Sequence, residues 1–246
     1  MWKWRCCAVD EFLKGIIPNV VAYKGRFLQS LQQTLEMTLR SGIIALMVGL
    51  ALGVLLTVCK KDGIKPNALL YKIINILVNL FRSIPFIILL IFLIPFTRWL
   101  AGTAIGVKGA LVPLVFGCVP FYTRQVEAAL ASVDGGKVEA ARSMGSSTLG
   151  IIFRVYLHEA VPDLVRATTI TAISLIGLTT MAGAVGAGGI GSFAINYGQN
   201  QNHQDIVNVC VIILLVFVSL LQFLGNLMAR RTTNRGLFHR NGKEKA

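Results

Sequence analysis

The chain has 246 residues, of which 54% are hydrophobic and 14% charged; an ordinary globular domain carries roughly 25% charge. So little charge cannot cover a water-soluble domain of this size, which excludes that class. The formal charge of +13 comes from Lys and Arg that flank apolar runs and build no aromatic-interleaved patch, so it argues for basic loops beside membrane spans and against nucleic acid.

Residues 1–30 read as an N-terminal extension. It lacks the uninterrupted apolar core of a secretory signal, and Phe12–Tyr23 is too short to cross a bilayer. Phe12, Ile16, Ile17 and Val20 predict an interfacial amphipathic segment there. Five transmembrane helices are then predicted: near Leu39–Cys59, Ile73–Phe96 with Arg82 inside it, Thr103–Tyr122, Ala167–Ala184 and Ile206–Ala229. About 20 apolar residues in helix cross about 30 Å of hydrocarbon. Helix is required because lipid offers no partner for free backbone N–H and C=O groups. Gly49, Gly53 and Gly177 supply small faces for close helix approach. Cys59, Cys118 and Cys210 fall in or beside spans, where a thiol acts as a small hydrophobe. They and Cys6–Cys7 stand at no metal-ligand spacing, so no metal is expected.

Lys and Arg in short loops set the orientation. Lys60, Lys61, Lys65 and Lys72 follow the first span. Arg124, Lys137, Arg142, Arg154 and Arg166 lie between the third and fourth. Arg230, Arg231, Arg235, Arg240, Lys243 and Lys245 fill the end of the chain, whereas the segment between the fourth and fifth spans has no Lys or Arg. The first loop, third loop and C-terminus are expected in the cytoplasm and the N-terminus outside. Lys3, Arg5, Lys14, Lys24, Arg26 and Arg40 run against the last expectation.

The third loop has a helical pattern of its own. Asp134 can cap a helix start and Gly145 can end it in a left-handed turn. Ser146 or Ser147 can cap a second helix through Tyr156. The segment Glu139-Ala140-Ala141, Gly145 and Val155-Tyr156-Leu157 resembles the cytoplasmic loop of the membrane subunits of bacterial ABC importers, E-A-A, three residues, Gly, nine residues, I-x-L-P. His158 replaces the final proline, and Pro162 follows four residues later. Three further strings resemble the D/L-methionine importer branch of that family: Phe81-Arg82-Ser83-Ile84-Pro85-Phe86, Ile94-Pro95-Phe96-Thr97-Arg98, and Gly183-Ala184-Val185-Gly186-Ala187-Gly188-Gly189-Ile190-Gly191.

The resemblance implies an all-α, five-transmembrane-helix permease bundle of type I over residues 31–222, followed at 223–246 by the end of the last helix and a basic cytoplasmic tail. It implies a bacterial plasma-membrane location and a homodimer. It also implies two ATPase subunits that receive the coupling helix (Glu139, Ala140, Ala141, Gly145, Val155, Leu157) and a methionine-binding protein outside the cytoplasm. The chain carries no G-x-x-x-x-G-K-[ST] phosphate loop. ATP hydrolysis is therefore expected on the partner, with neither catalytic residues nor a cofactor on this chain.

Arg82, Ser83, Pro85, Met181, Gly186, Gly188 and Gly189 are candidate pathway or gate positions. For Arg82 a second reading stands, a side chain snorkelling to the interface. Gly186, Gly188 and Gly191 match G-x-G-x-x-G, but the uncharged run around them lacks the strand–helix setting of a dinucleotide site. Without the rest of its motif, Glu139 would read as an ion-pair partner of Arg142. Asn196, Asn200 and Asn202 could touch an external protein. Intramembrane acids suited to a secondary transporter are missing from the span centres.

Overall fold

The computed structural model describes residues 18–241, with side chains through residue 232. Its elements are helices α1 (Pro18–Ala22), α2 (Lys24–Cys59), α3 (Ala68–Ser83), α4 (Phe86–Phe92), α5 (Ile94–Ala101) and α6 (Gly106–Ala131). They continue with α7 (Gly135–Ser143), α8 (Thr148–Ile151), α9 (Leu157–Glu159), α10 (Val161–Ala182), α11 (Gly189–Phe193) and α12 (Gln204–Asn241). Wider π-helical turns occupy Ile152–Tyr156 and Ala194–Gln199, and Gly183–Ala187 is a kink with non-helical backbone at Val185 and Gly186. Among the described residues there is no strand. Four stretches are long and apolar enough to cross a membrane, Lys24–Cys59, Gly106–Ala131, Val161–Ala187 and Gln204–Thr232; the broken pair α3 and α4 passes the same test only when its two helices are taken together, as a broken span or a re-entrant loop.

The described residues form two compact units. The first holds residues 18–42, Phe86–Leu114 and Leu175–Ser219. Its core joins Val20 to Ile190, Phe193, Ile206 and Cys210. Asn19 donates its backbone N–H and its side-chain amide to the two carboxylate oxygens of Asp205, at 3.1 and 3.0 Å. Tyr23 stacks at an angle on Tyr197, with ring centroids 4.8 Å apart. Val20 is therefore a core residue rather than part of an interfacial face; Phe12, Ile16 and Ile17 lie outside the described residues.

The second unit holds Ile43–Pro85, Val115–Ser174 and the chain from Leu220. Tyr122, Val126, Leu130, Ala160 and Ala167 form its centre, with Leu46, Leu50 and Val54 of α2 packed against them. Lipid tails are as apolar as these side chains, so van der Waals fit carries the association. The small positions read from the sequence explain the closeness: a Cβ on Gly53 would sit 2.6 Å from Val126 Cβ, and one on Gly49 would sit 2.8 Å from Tyr122 Cδ1. Tyr122 Oη and Thr168 Oγ1 share a 3.0 Å hydrogen bond at the same contact.

Several element boundaries differ from the sequence expectation, among them the end of α12 at Asn241 rather than near Ala229. Helix α2 starts at Lys24 rather than near Leu39 and passes through residue 30 without interruption. Its first half carries Gln, Ser and Thr that a hydropathy reading passes over. Ser30 and Thr34 satisfy their own hydroxyls by donating to the carbonyls of Phe27 (2.7 Å) and Ser30 (3.0 Å). Helix α6 runs on to Ala131, so Arg124 is a helical residue and not a loop cation. The expected second span is not one helix. Pro85 disfavours helical backbone at the preceding residue, and Ile84 is extended at φ −87°, ψ 124°. A further break at Leu93 starts α5, with Pro95 in its first turn.

Gly53→Leu forces a side chain into the Val126 contact and is expected to cost about 1–3 kcal/mol or more. In detergent, its thermal midpoint should fall by several degrees. Gly25→Leu, with open space around its Cβ, should leave the midpoint unchanged.

Candidate functional site

The third loop folds as its sequence predicts. Asp134 caps α7, its side chain accepting from the Gly136 N–H at 2.8 Å. At the other end Gly145 takes φ +76°, a conformation that costs a residue with a Cβ about 1 kcal/mol or more. The turn is closed by Gly145 N–H donating to Arg142 O (3.0 Å) and Ser146 N–H donating to Ala141 O (3.1 Å), the Schellman arrangement. Ser147 then caps α8, accepting from Gly150 N–H at 3.2 Å. The following π turn at Ile152–Tyr156 carries Val155 and leads to α9. His158 is exposed on α9, and Pro162 occupies the first turn of α10.

This helix pair is fastened to its own unit. Ala141 and Ile151 are buried, and Tyr156 and Leu157 pack on the Tyr122–Val126 core. Burial pushes the Tyr156 phenol above its usual pKa, so it stays neutral. Lys137 reaches Glu159 at 2.6 Å, and Ser132 donates to Asp163 at 3.0 Å. Glu139 and Ala140 face outward. The Glu139–Arg142 pair that the sequence allows does not form: among the described residues Glu139 is in no ion pair.

Around Glu139 the loop exposes an apolar group that sequence reasoning missed. Met144 is 78% exposed, Leu149 66% and Phe153 65%. Exposed apolar groups on a rigid loop are candidates for contact with a protein or a membrane surface. The sequence hides this group, because Leu149 and Phe153 stand in one apolar run with Ile151, Tyr156 and Leu157, which pack inward.

The pathway candidates fall into two places. Arg82, Ser83 and Pro85 stand exposed at the end of α3, where a cation favours the helix C-terminus. Met181 lies near the end of α10, and Gly186, Gly188 and Gly189 make the turn after it. Gly186, Gly188 and Gly189 have φ of +93°, +86° and +80°, the region open to glycine. The helix that restarts there is capped from α2: Gly189 N–H donates to Gln33 Oε1 at 2.9 Å, and Ile190 N–H donates to Thr34 Oγ1 at 2.8 Å. The G-x-G-x-x-G match is thus a helix break closed by side chains. Asn196, Asn200 and Asn202 are exposed nearby in the chain, with Asn196 donating to Ser192 Oγ at 3.0 Å.

Residues 34–235 match the family described as binding-protein-dependent transport system inner membrane component. A probable D-methionine transport system permease protein, MetI of Vibrio cholerae, is 41% identical over 203 residues, covering 82% of this chain and 90% of the relative. The methionine import system permease protein MetP of Bacillus subtilis is 45% identical over 174 residues, 71% of this chain and 78% of the relative. A crystal form of the MetNI methionine ABC transporter in an inward-facing conformation contains a similar chain. It is 43% identical, with a TM-score of 0.84, covering 86% of this chain and 98% of that one.

The capped glycine turn offers a direct check. Gln33→Leu leaves the Gly189 N–H without its acceptor, a loss of about 1–3 kcal/mol for a buried donor, and Thr34→Val does the same at Ile190. Each should lower the thermal midpoint in detergent by several degrees, whereas Gln29→Leu, exposed on the same helix, should not.

Proposed function

We infer that this chain, which belongs to the family of binding-protein-dependent transport system inner membrane components, is the permease subunit of an ABC importer for methionine. The apolar helices build the membrane pathway as a homodimer. A separate ATPase subunit docks on each copy, and a methionine-binding protein delivers the cargo from outside. The observation that carries this reading is the exposed Glu139–Ala140 face with Met144, Leu149 and Phe153, presented by a helix pair that caps, a left-handed turn and buried contacts hold fixed.

Mechanism follows from that rigidity. A partner that closes on ATP moves whatever is docked in it. A loop able to bend would absorb the movement, but α7 and α8 are bound through Ala141, Ile151 and Tyr156 to the core of their unit. Displacing the loop therefore displaces α6 and α10, which share that core. Nucleotide shifts the transporter between states only through contacts that differ between them, and the loop surface is where such contacts can be made. The helix is already broken at Gly186–Gly189, so the chain beyond it can change direction there without unwinding a further α-helical turn.

Orientation follows the basic loops: Lys60, Lys61 and Lys65 and the coupling loop face the cytoplasm. Helix α2 is continuous over 36 residues, about 54 Å, so its Lys24 end lies outside when its Cys59 end lies inside. The hydrogen bonds from Asn19 to Asp205 support this, because they tie the start of the described chain to the loop that has no Lys or Arg.

Glu139→Lys is expected to abolish methionine uptake in cells and the recovery of an ATPase subunit with the purified permease, while membrane insertion is kept. Uptake at the unsubstituted rate would contradict the docking role. Uptake that other amino acids or phosphonates suppress and methionine does not would replace the cargo and leave the permease assignment standing.

A further inference from the structure

The second unit holds a cavity of about 480 Å³ beside the coupling loop, inside the range of roughly 300–1,000 Å³ of small-molecule sites. Lys60, Asp62, Arg124 and Glu127 line it, two cations and two carboxylates. Leu130 and Val133 give it an apolar wall. Arg124 is held from two helices: it donates to Glu127 Oε2, to Asn75 Oδ1 and, at 2.8 Å, to Asn79 Oδ1. Three of the five guanidinium N–H groups are thereby used, and two remain to donate. Lys60 and Asp62 are exposed and, among the described residues, belong to no ion pair.

A lone anion or cation would meet one repelling pair in such a lining. A molecule bearing both charges meets a partner for each. We propose that this cavity binds a small zwitterion, with its oxyanion on Arg124 and Lys60, its ammonium on Glu127 and Asp62, and its apolar substituent along Leu130 and Val133. Arg124 is the preorganised half of the site, since its rotamer is already fixed and little ordering is lost on binding. Lys60 and Asp62 close over the ligand. That chemistry has two sources, a free α-amino acid on the coupling-loop side or a phosphatidylethanolamine headgroup. The first rests on the importer reading; the site itself does not.

The test uses the permease copurified with its ATPase in nanodiscs made with and without phosphatidylethanolamine. Each preparation is exposed to a diazirine analogue of methionine, and adducts are mapped by mass spectrometry. Adducts are expected on residues 57–62 and 124–133. L-Methionine should suppress them; 3-methylthiopropylamine and 3-methylthiopropionate, each with one charge, should not. Because Arg124 also joins two helices, the variant is Lys60→Gln with Asp62→Asn. It should lower the adduct yield about tenfold, the loss for roughly one charge-assisted contact. Adducts in both nanodiscs identify a free amino acid. Adducts only without phosphatidylethanolamine identify the headgroup; either result supports the site. No adduct in this region, an undiminished yield in the double variant, or equal competition by the singly charged analogues overturns it. Normal methionine uptake without labelling removes the cavity and keeps the importer, whereas labelling in a chain that does not import methionine does the reverse.

Discussion

Hydrocarbon gives a polypeptide no hydrogen-bond partners, and the rest of this structure depends on that constraint. It makes the apolar stretches helical and makes any departure from helix require a partner from within the protein. At Gly186–Gly189 the backbone turns through three left-handed glycines, and the freed N–H groups of Gly189 and Ile190 are taken up by Gln33 and Thr34. Polar residues that look out of place in a membrane helix are therefore the acceptors that let another segment bend. The hydroxyls of Ser30, Thr34 and Thr57 meet the same requirement by donating to carbonyls one turn back.

Close packing does the remaining work, since apolar burial between helices gains little in lipid. Gly49 and Gly53 bring α2 against Tyr122 and Val126 closely enough that a Cβ would collide. The same core receives Ala160, Ala167, Tyr156 and Leu157, so the loop is built on a closely packed part of its unit. On the proposed reading, a surface mounted in this way would transmit displacement; its outward face leaves Met144, Leu149 and Phe153 exposed.

What could be read in the sequence follows the range of the interactions involved. Hydropathy marks the uncharged runs because membrane insertion is a local property of composition. The caps at Asp134 and Ser147 and the turn at Gly145 are set by residues within a few positions of one another, and all three stand where the sequence puts them. The early start of α2 escapes because Gln, Ser and Thr lower its hydropathy while buried contacts keep it helical. The caps from Gln33 and Thr34 join residues 156 positions apart, and no local pattern records them. The sequence alone presents Arg124 as one more loop cation, because its partners Asn75 and Asn79 are 49 and 45 residues away. Pro85 was visible, but whether it bends or ends a helix depends on the backbone at Ile84 and on the second break at Leu93.

The central claim is that a rigid loop of this chain is gripped by a separate ATPase on the cytoplasmic side. It is tested most directly by site-specific crosslinking from Met144→Cys, with Phe92→Cys, 69% exposed on an apolar helix, as the reference position. A maleimide-linked photoreactive group on position 144, introduced in inverted membranes with ATPase present, should give a nucleotide-sensitive adduct with the ATPase, and position 92 should give none. Labelling of position 144 from outside intact cells, or adduct formation from position 92 but not 144, would contradict the account.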